Sequence, residues 1–277
     1  MTPTSPRVRR PARTPAALTV VATLLGLTVL LDPGPPELGR TTLVHHADPP
    51  GPVNAQSTYK WGRPTWQDEW EDGRRGPYRV EGPGLVRAQH GMLTLNTTGA
   101  GTVTAIRRVR GHATGRWEIR LRSKQFSTGA TPFTVRTELV PAGKREQHCG
   151  AQDVGLVSYT FGDSDADFWV RNLPDLELGA SEALDLTDGQ WHTFGVEVTD
   201  RSVTWFVDAH AVRRDRRAAA LSGVPLTVRF SMLAPEATRM NPSRMQMDWL
   251  RYFLLDRENA LPIDAPRLAR TTHEGAC

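Results

Sequence analysis

The 277-residue chain contains two cysteines, Cys149 and Cys277, too few for a zinc site built on thiolates alone or for a disulfide-dense scaffold. A single disulfide between them suits an exported protein, and a buried free Cys149 beside an incidental terminal Cys277 is the other reading. Charge of one sign is also scarce: 34 Lys+Arg stand against 30 Asp+Glu, a net of +4. Arginine supplies almost all the positive charge and is spread along the chain. A dedicated nucleic-acid binder would concentrate it in one stripe, so that class is set aside. Helical periodicity is nearly missing too, apart from a short stretch near Arg216–Leu221. With 39% hydrophobic and 23% charged residues the chain is nonetheless rich enough to bury a core.

One apolar run is long. Arg7, Arg9, Arg10 and Arg13 precede an unbroken stretch from Ala16 to Leu31, which ends at Asp32-Pro33-Gly34. That is the layout of a secretory signal. As a helix it reaches roughly 24 Å, short of a hydrocarbon core of about 30 Å, and no small-x-small cleavage site follows directly. A cleaved signal (residues 1–31) and an uncleaved signal-anchor are both consistent with it. Either places the remainder outside, secreted or held on the outer face of the cell membrane through residues 16–31. Residues 32–60 carry many Pro and Gly and read as a linker. His45-His46 within it lacks a third ligand and reads as solvated loop.

From Trp61 the apolar spacing is mostly two. Met92–Asn96, Gly115–Arg122, Trp191–Val198, Ser202–Val207, Leu226–Met232 and Met245–Leu254 all alternate, and a short turn joins the third to the fourth. Many short strands between turn residues predict an all-β sandwich or jelly roll over residues 61–257, with 258–277 as a tail.

Several of these stretches resemble glycoside hydrolase family 16, the laminarinase and β-glucanase group. Trp66-Gln67-Asp68-Glu69-Trp70 resembles its W-x-D-E-F opening, and Gly115-Arg116-Trp117-Glu118-Ile119-Arg120 its G-R-Y-E-V-R strand. Trp191-His192-Thr193-Phe194 through Glu197 is similar to F-H-T-Y-x-x-E. Trp205-Phe206-Val207-Asp208 is similar to W-Y-V-D-G, with Ala209 in place of Gly. Met247-Asp248-Trp249-Leu250-Arg251-Tyr252 resembles V-D-Y-V-R-V-Y. The matches keep the family's order. The resemblance implies a concanavalin A-like jelly roll of two curved antiparallel sheets whose concave side holds a β-linked polysaccharide. It also implies retaining chemistry by two carboxylates about 5–5.5 Å apart on one strand, E-x-D-x-x-E or E-x-D-x-E.

The matching stretch here is Gly150-Ala151-Gln152-Asp153-Val154-Gly155-Leu156. With the middle Asp aligned on Asp153, Ala151 takes the nucleophile position and Leu156 or Gly155 the acid/base position, none of them ionisable. Upstream, Pro132–Pro141 stands where the family has W-P-A-F-W-L. Alternation aims Thr134, Arg136 and Glu138 at one face and Phe133, Val135, Thr137 and Leu139 at the other. Glu138 and Asp153 are therefore the candidate catalytic pair, and a salt bridge from Arg136 that leaves an inert polar cluster is the competing reading. Arg136, Gln152 and Trp169 are candidates for substrate binding.

Asp248 matches a position where some family members have a structural calcium ligand, although one Asp is not a site. No other metal or cofactor is expected. His148-Cys149 as a nucleophile pair is disfavoured because adjacent strand residues point apart. Trp117 and His192 read as structural, Arg213–Arg217 as a solvated basic loop, and Asn96-Thr97-Thr98 as a chance sequon. Three functions remain: a polysaccharide-binding protein with lost or altered catalysis, an active β-glycan hydrolase or transglycosylase with a relocated acid pair, and a structural or protein-binding sandwich. A monomer is expected.

Overall fold

The computed structural model describes residues 53–97, 101–143, 152–172, 176–186 and 189–272. The signal or anchor segment, His45-His46, Thr98, His148 and both cysteines lie outside the described residues. Among the described residues no helix is long and apolar enough to cross a membrane. Among the described residues, sixteen strands account for nearly all of the regular structure. In chain order they are β1 (Trp66–Asp68), β2 (Tyr78–Glu81), β3 (Leu85–Gln89), β4 (Met92–Thr97), β5 (Val103–Arg107), β6 (Gly115–Gln125), β7 (Thr134–Pro141) and β8 (Asp153–Thr160). The second half supplies β9 (Asp165–Asn172), β10 (Leu176–Ala183), β11 (His192–Val198), β12 (Val203–Val207), β13 (His210–Asp215), β14 (Leu226–Leu233), β15 (Ser243–Phe253) and β16 (Ala269–Thr272).

They form two antiparallel sheets. The first runs β13-β12-β11-β6-β15-β4-β3, with β1 paired to β15; the second runs β16-β10-β9-β8-β7-β14-β5-β2. Alternation explains the layering. Trp117, Ile119 and Leu121 of β6, Met245 and Met247 of β15, and Phe194 and Val196 of β11 meet Val135 and Leu139 of β7, Phe168 and Val170 of β9, and Val228 and Phe230 of β14 in one buried core. Trp205 Nε1 crosses that core to donate to the Gly155 carbonyl of β8 at 2.8 Å, pinning the two layers together. Trp117 is thus core, 1% exposed, as its alternation implies.

The outer face of the first sheet is covered by chain from both ends of the domain. A helix α1 (Ala55–Tyr59), absent from the sequence reading, starts at Asn54, whose Oδ1 accepts from Ser57 N, and stops at Lys60 in the left-handed region. Ala55, Tyr59 and Trp61 form a second apolar cluster with Phe206 and Phe253. Residues ahead of Trp61 thus pack on the first sheet, and β16 extends the second sheet beside β10.

The charged residues of the motifs hold these coverings. Arg116 Nε donates to Glu197 Oε2 at 2.6 Å, both buried, and its other nitrogens reach the carbonyls of Leu254 and Arg257. Glu118 Oε1 accepts from the backbone N–H groups of Ala55 (2.6 Å) and Gln56 (3.2 Å), which anchors α1. His192 Nδ1 lies 2.7 Å from Asp208 Oδ2, and Asp208 with Ala209 makes the β12–β13 turn at positive φ, where the resembling motif has Gly second. Arg213–Arg217 is not a solvated loop: Arg213 pairs with Glu182, and Asp215, fully buried, is held by Arg217.

Candidate functional site

Neighbouring strands β7 and β8 bring Glu138 and Asp153 together on the outer face of the second sheet. Glu138 stands opposite Gly155, and a bulge lies between Gly155 and Ser158 where β8 meets β9. Val154, Leu156, Val157 and Tyr159 all enter the core. The bulge turns two successive residues, Leu156 and Val157, inward, so the outward positions of β8 are Asp153, Gly155 and Ser158. Alternation alone could not show this, because a bulge shifts every later side chain to the opposite parity.

The two buried carboxyl groups lie close enough for each to shift the other's proton affinity. Burial pushes Asp153 well above the usual carboxylate range, and the neighbouring Glu138 charge and its hydrogen bond add to this; Arg171 and the Trp169 indole oppose only in part. Burial also acts upward on Glu138, but the Arg229 charge and hydrogen bond outweigh it, helped by Asp153 and Arg136, and leave it below its ordinary value. Of the two, Glu138 is thus held towards its ionised form and Asp153 towards its protonated form, and Glu138 Oε2 is buried without an N–H donor.

The salt bridges differ from the expected one. Arg229 Nε donates to Glu138 Oε1 at 2.8 Å, and Arg171 Nη1 lies 3.5 Å from Asp153 Oδ2. Arg136, expected to bridge the acids, instead lies with its guanidinium 5.1 Å from the centre of the Trp169 ring, and Arg171 sits 5.0 Å from that ring. Trp169 is 4% exposed and is not an open stacking platform. Its Nε1 donates to Asp153 Oδ1 at 2.9 Å while the ring lies flat on Gly155, where an added Cβ would fall 2.3 Å from it. The indole thus caps Asp153, whose side chain has no accessible surface.

Gly155→Ala should therefore unseat Trp169. The expected cost is about 1–3 kcal/mol of overpacking plus about 1 kcal/mol for the lost hydrogen bond. A lower urea midpoint together with a shifted Trp169 indole N–H resonance checks it, and an unmoved resonance would show that the ring does not rest on Gly155.

Beside this cap is a groove of about 350 Å³ lined by Arg136, Ser158, Asp167, Arg171, Glu177 and Ser181 among others. Arg171 Nε donates to Glu177 at 2.6 Å, and Ser181 Oγ donates to Asp167. Arg136 has no carboxylate within ion-pair distance among the described residues, and its Nε is buried without a partner. Gln152 is half-buried just ahead of β8 and does not line the groove. Asp248 pairs with Arg120 at 2.7 Å, and among the described residues no three His, Cys, Asp or Glu side chains gather as a metal site. Arg229 and the groove serines escaped the sequence reading. Arg229 lies 91 positions from Glu138, and nothing local marks it as a partner.

No protein-family model and no curated protein matches the chain. Solved structures do. A mutant of SCLam, a non-specific endo-β-1,3(4)-glucanase from family 16 crystallised with a 1,3-β-D-cellotriosyl-glucose, is 13% identical with TM-score 0.57 over 73% of this chain and 97% of that one. The laminarinase catalytic domain from Thermotoga maritima is 12% identical with TM-score 0.56, covering 70% and 99%. The endo-β-1,3-glucanase from Pyrococcus furiosus is 12% identical with TM-score 0.57, covering 69% and 94%. The two-sheet body of this chain has the fold of the family 16 β-glucanases.

Proposed function

We propose that the protein binds a β-linked polysaccharide in the groove of the second sheet and does not hydrolyse it by the family's route. The observation that carries this reading is the buried acid pair. Retaining hydrolysis needs two carboxyl groups about 5–5.5 Å apart flanking a sugar, and inversion needs more. Here both groups are buried, Asp153 sealed beneath Trp169 and Glu138 tied to Arg229, so neither faces an open groove as a flanking acid would. The bulge adds a second argument. The outward residues at 153, 155 and 158 have the spacing of E-x-D-x-x-E but read Asp, Gly and Ser. Asp153 then occupies the nucleophile position rather than the middle one, and Ser158, which does not titrate as a proton donor near neutral pH, occupies the acid/base position. The groove beside them offers hydroxyls, carboxylates and a guanidinium, groups that pair with sugar hydroxyls. Its place outside the cell, secreted or anchored, rests on Arg7–Arg13 and the Ala16–Leu31 run.

The test uses the full chain on a panel of β-1,3- and mixed-linkage glucans, with reducing ends and retention on the polymer measured together. Retention without reducing-end release is expected, weakened tenfold or more by Arg136→Ala. Release that disappears in both Glu138→Gln and Asp153→Asn would restore a hydrolase with a relocated pair. Absence of retention on every polymer would leave a structural sandwich.

A further inference from the structure

The outer face of the second sheet carries a row of residues at right angles to its strands. Arg79 of β2 stands opposite Ile106 of β5, Ile106 opposite Arg229, Arg229 opposite Glu138, Glu138 opposite Gly155, and Gly155 opposite Trp169. Five strand intervals separate Arg79 from Trp169, roughly 24 Å at the usual spacing of about 4.8 Å. The Trp169 end of the row is the groove described above. At the Arg79 end is a pocket of about 410 Å³ lined by Arg79, Ile106, Arg107, Arg108, Arg110 and Thr227 among others, with no carboxylate among the described lining residues.

The two ends differ in charge. In the groove Arg171 is matched by Glu177, and Arg136 shares the space with Asp167. In the Arg79-end pocket the arginines outnumber their partners. Arg107 Nε meets Asp68 at 2.7 Å and Arg79 meets Glu81 at 2.8 Å, both acids lying outside the lining. Arg108 and Arg110 are exposed and have no carboxylate within 4.0 Å among the described residues. The local field reaches His112, whose imidazole is held below its usual value by burial and then by the Arg107 charge.

We propose that this arginine pocket is a second binding site, and that it takes an anionic substituent (carboxylate, sulfate or phosphate) borne by the same extended β-glycan that occupies the groove. The ligand of the protein is then an acidic polysaccharide rather than a neutral one. This rests on the reading of the groove as a glycan site and adds the ligand's charge. Guanidinium groups suit the task because their planar fork grips an oxyanion through two parallel hydrogen bonds. A chain lying along the row would meet hydroxyl-matching groups at one end and, at the other, two guanidiniums with no carboxylate partner among the described residues, which gives the site both a length and a direction.

The experiment titrates the full chain with laminarin and with carboxymethylated, sulfated and phosphorylated laminarin of matched length, at low and at high salt. At least one charged derivative should bind tenfold or more tighter than the neutral glucan at low salt, and most of that advantage should vanish at high salt. The double variant Arg108→Gln/Arg110→Gln should lose the advantage and keep the affinity for neutral laminarin. Which derivative gains most identifies the anion. Equal affinity for neutral and charged forms, or an advantage that survives in the variant, overturns the arginine pocket and leaves the groove intact. Polyglutamate binding as tightly as the charged glucan overturns it as well, by showing a generic polyanion surface. Binding of none of the glucans overturns the groove reading and this inference together.

Discussion

Replacing Arg229 with Met should cost the fold about 3–5 kcal/mol, because it removes the guanidinium that donates to the buried Glu138 carboxyl and does most to favour its ionised form. Glu138 is 1% exposed, so water cannot take over the lost hydrogen bond at Oε1. The variant has one escape, to bind a second proton on Glu138, which is easier at low pH. Its deficit should therefore be larger at pH 8 than at pH 5. The double variant Arg229→Met/Glu138→Leu removes both charges and should recover most of the loss, since an apolar pair of similar volume often matches a buried ion pair. Urea unfolding of the wild type, both singles and the double closes the cycle. A loss under about 1 kcal/mol for Arg229→Met would mean that Glu138 finds solvent or another cation, and the dry, locked pair described above would not stand.

The second large effect is a fall in stability as pH rises from about 4.5 to 7. Burial raises Glu118 from its ordinary 4.5 to about 7, against the two backbone hydrogen bonds from Gln56 and Ala55 and the Arg251 charge, which favour the ionised form. A folded-state pKa above the unfolded one means that the native protein holds the proton more tightly between those values. The stabilisation is complete below about 4.5 and is lost as pH rises through 7. A difference of about 2.5 units corresponds to something on the order of 3 kcal/mol. Asp153, also raised, works in the same direction, whereas Glu138, lowered, works against it. Glu118→Gln isolates the contribution: the amide keeps a carbonyl acceptor for Ala55 N–H and never ionises. Its urea midpoint should vary less between pH 5 and pH 8 than that of the wild type. An unchanged pH dependence in Glu118→Gln would assign the proton to Asp153 and leave the anchoring of α1 indifferent to pH.

Strand identity was legible residue by residue. Period-two alternation located β4, β6, β11, β12, β14 and β15, and the inward set it named, Val135 and Leu139 on β7 and Trp117 on β6, is buried. This works because a sheet with one face in the core needs an apolar residue at every second position, and that constraint is local. The same pattern put Arg136 and Glu138 on the opposite face from the core, where the structure has them. The helix α1 was missed because five residues are too few for a period to emerge, although Asn54 followed by Ser57 is a capping signal that could have been noticed. In β16, Ala269–Thr272 pairs with β10 without any apolar alternation of its own.

What the chain determines on its own is that the body is built of strands and, where a strand is unbroken and alternates, which of its sides is dry. What the acids do was decided in three dimensions. The bulge between Gly155 and Ser158 turns both Leu156 and Val157 into the core, Arg229 arrives from a strand 91 residues away to bond Glu138, and Trp169 folds over a glycine to seal Asp153 from water. A proton's position depends on burial and on every charge within a few ångströms, and those distances exist only after distant strands have been brought side by side.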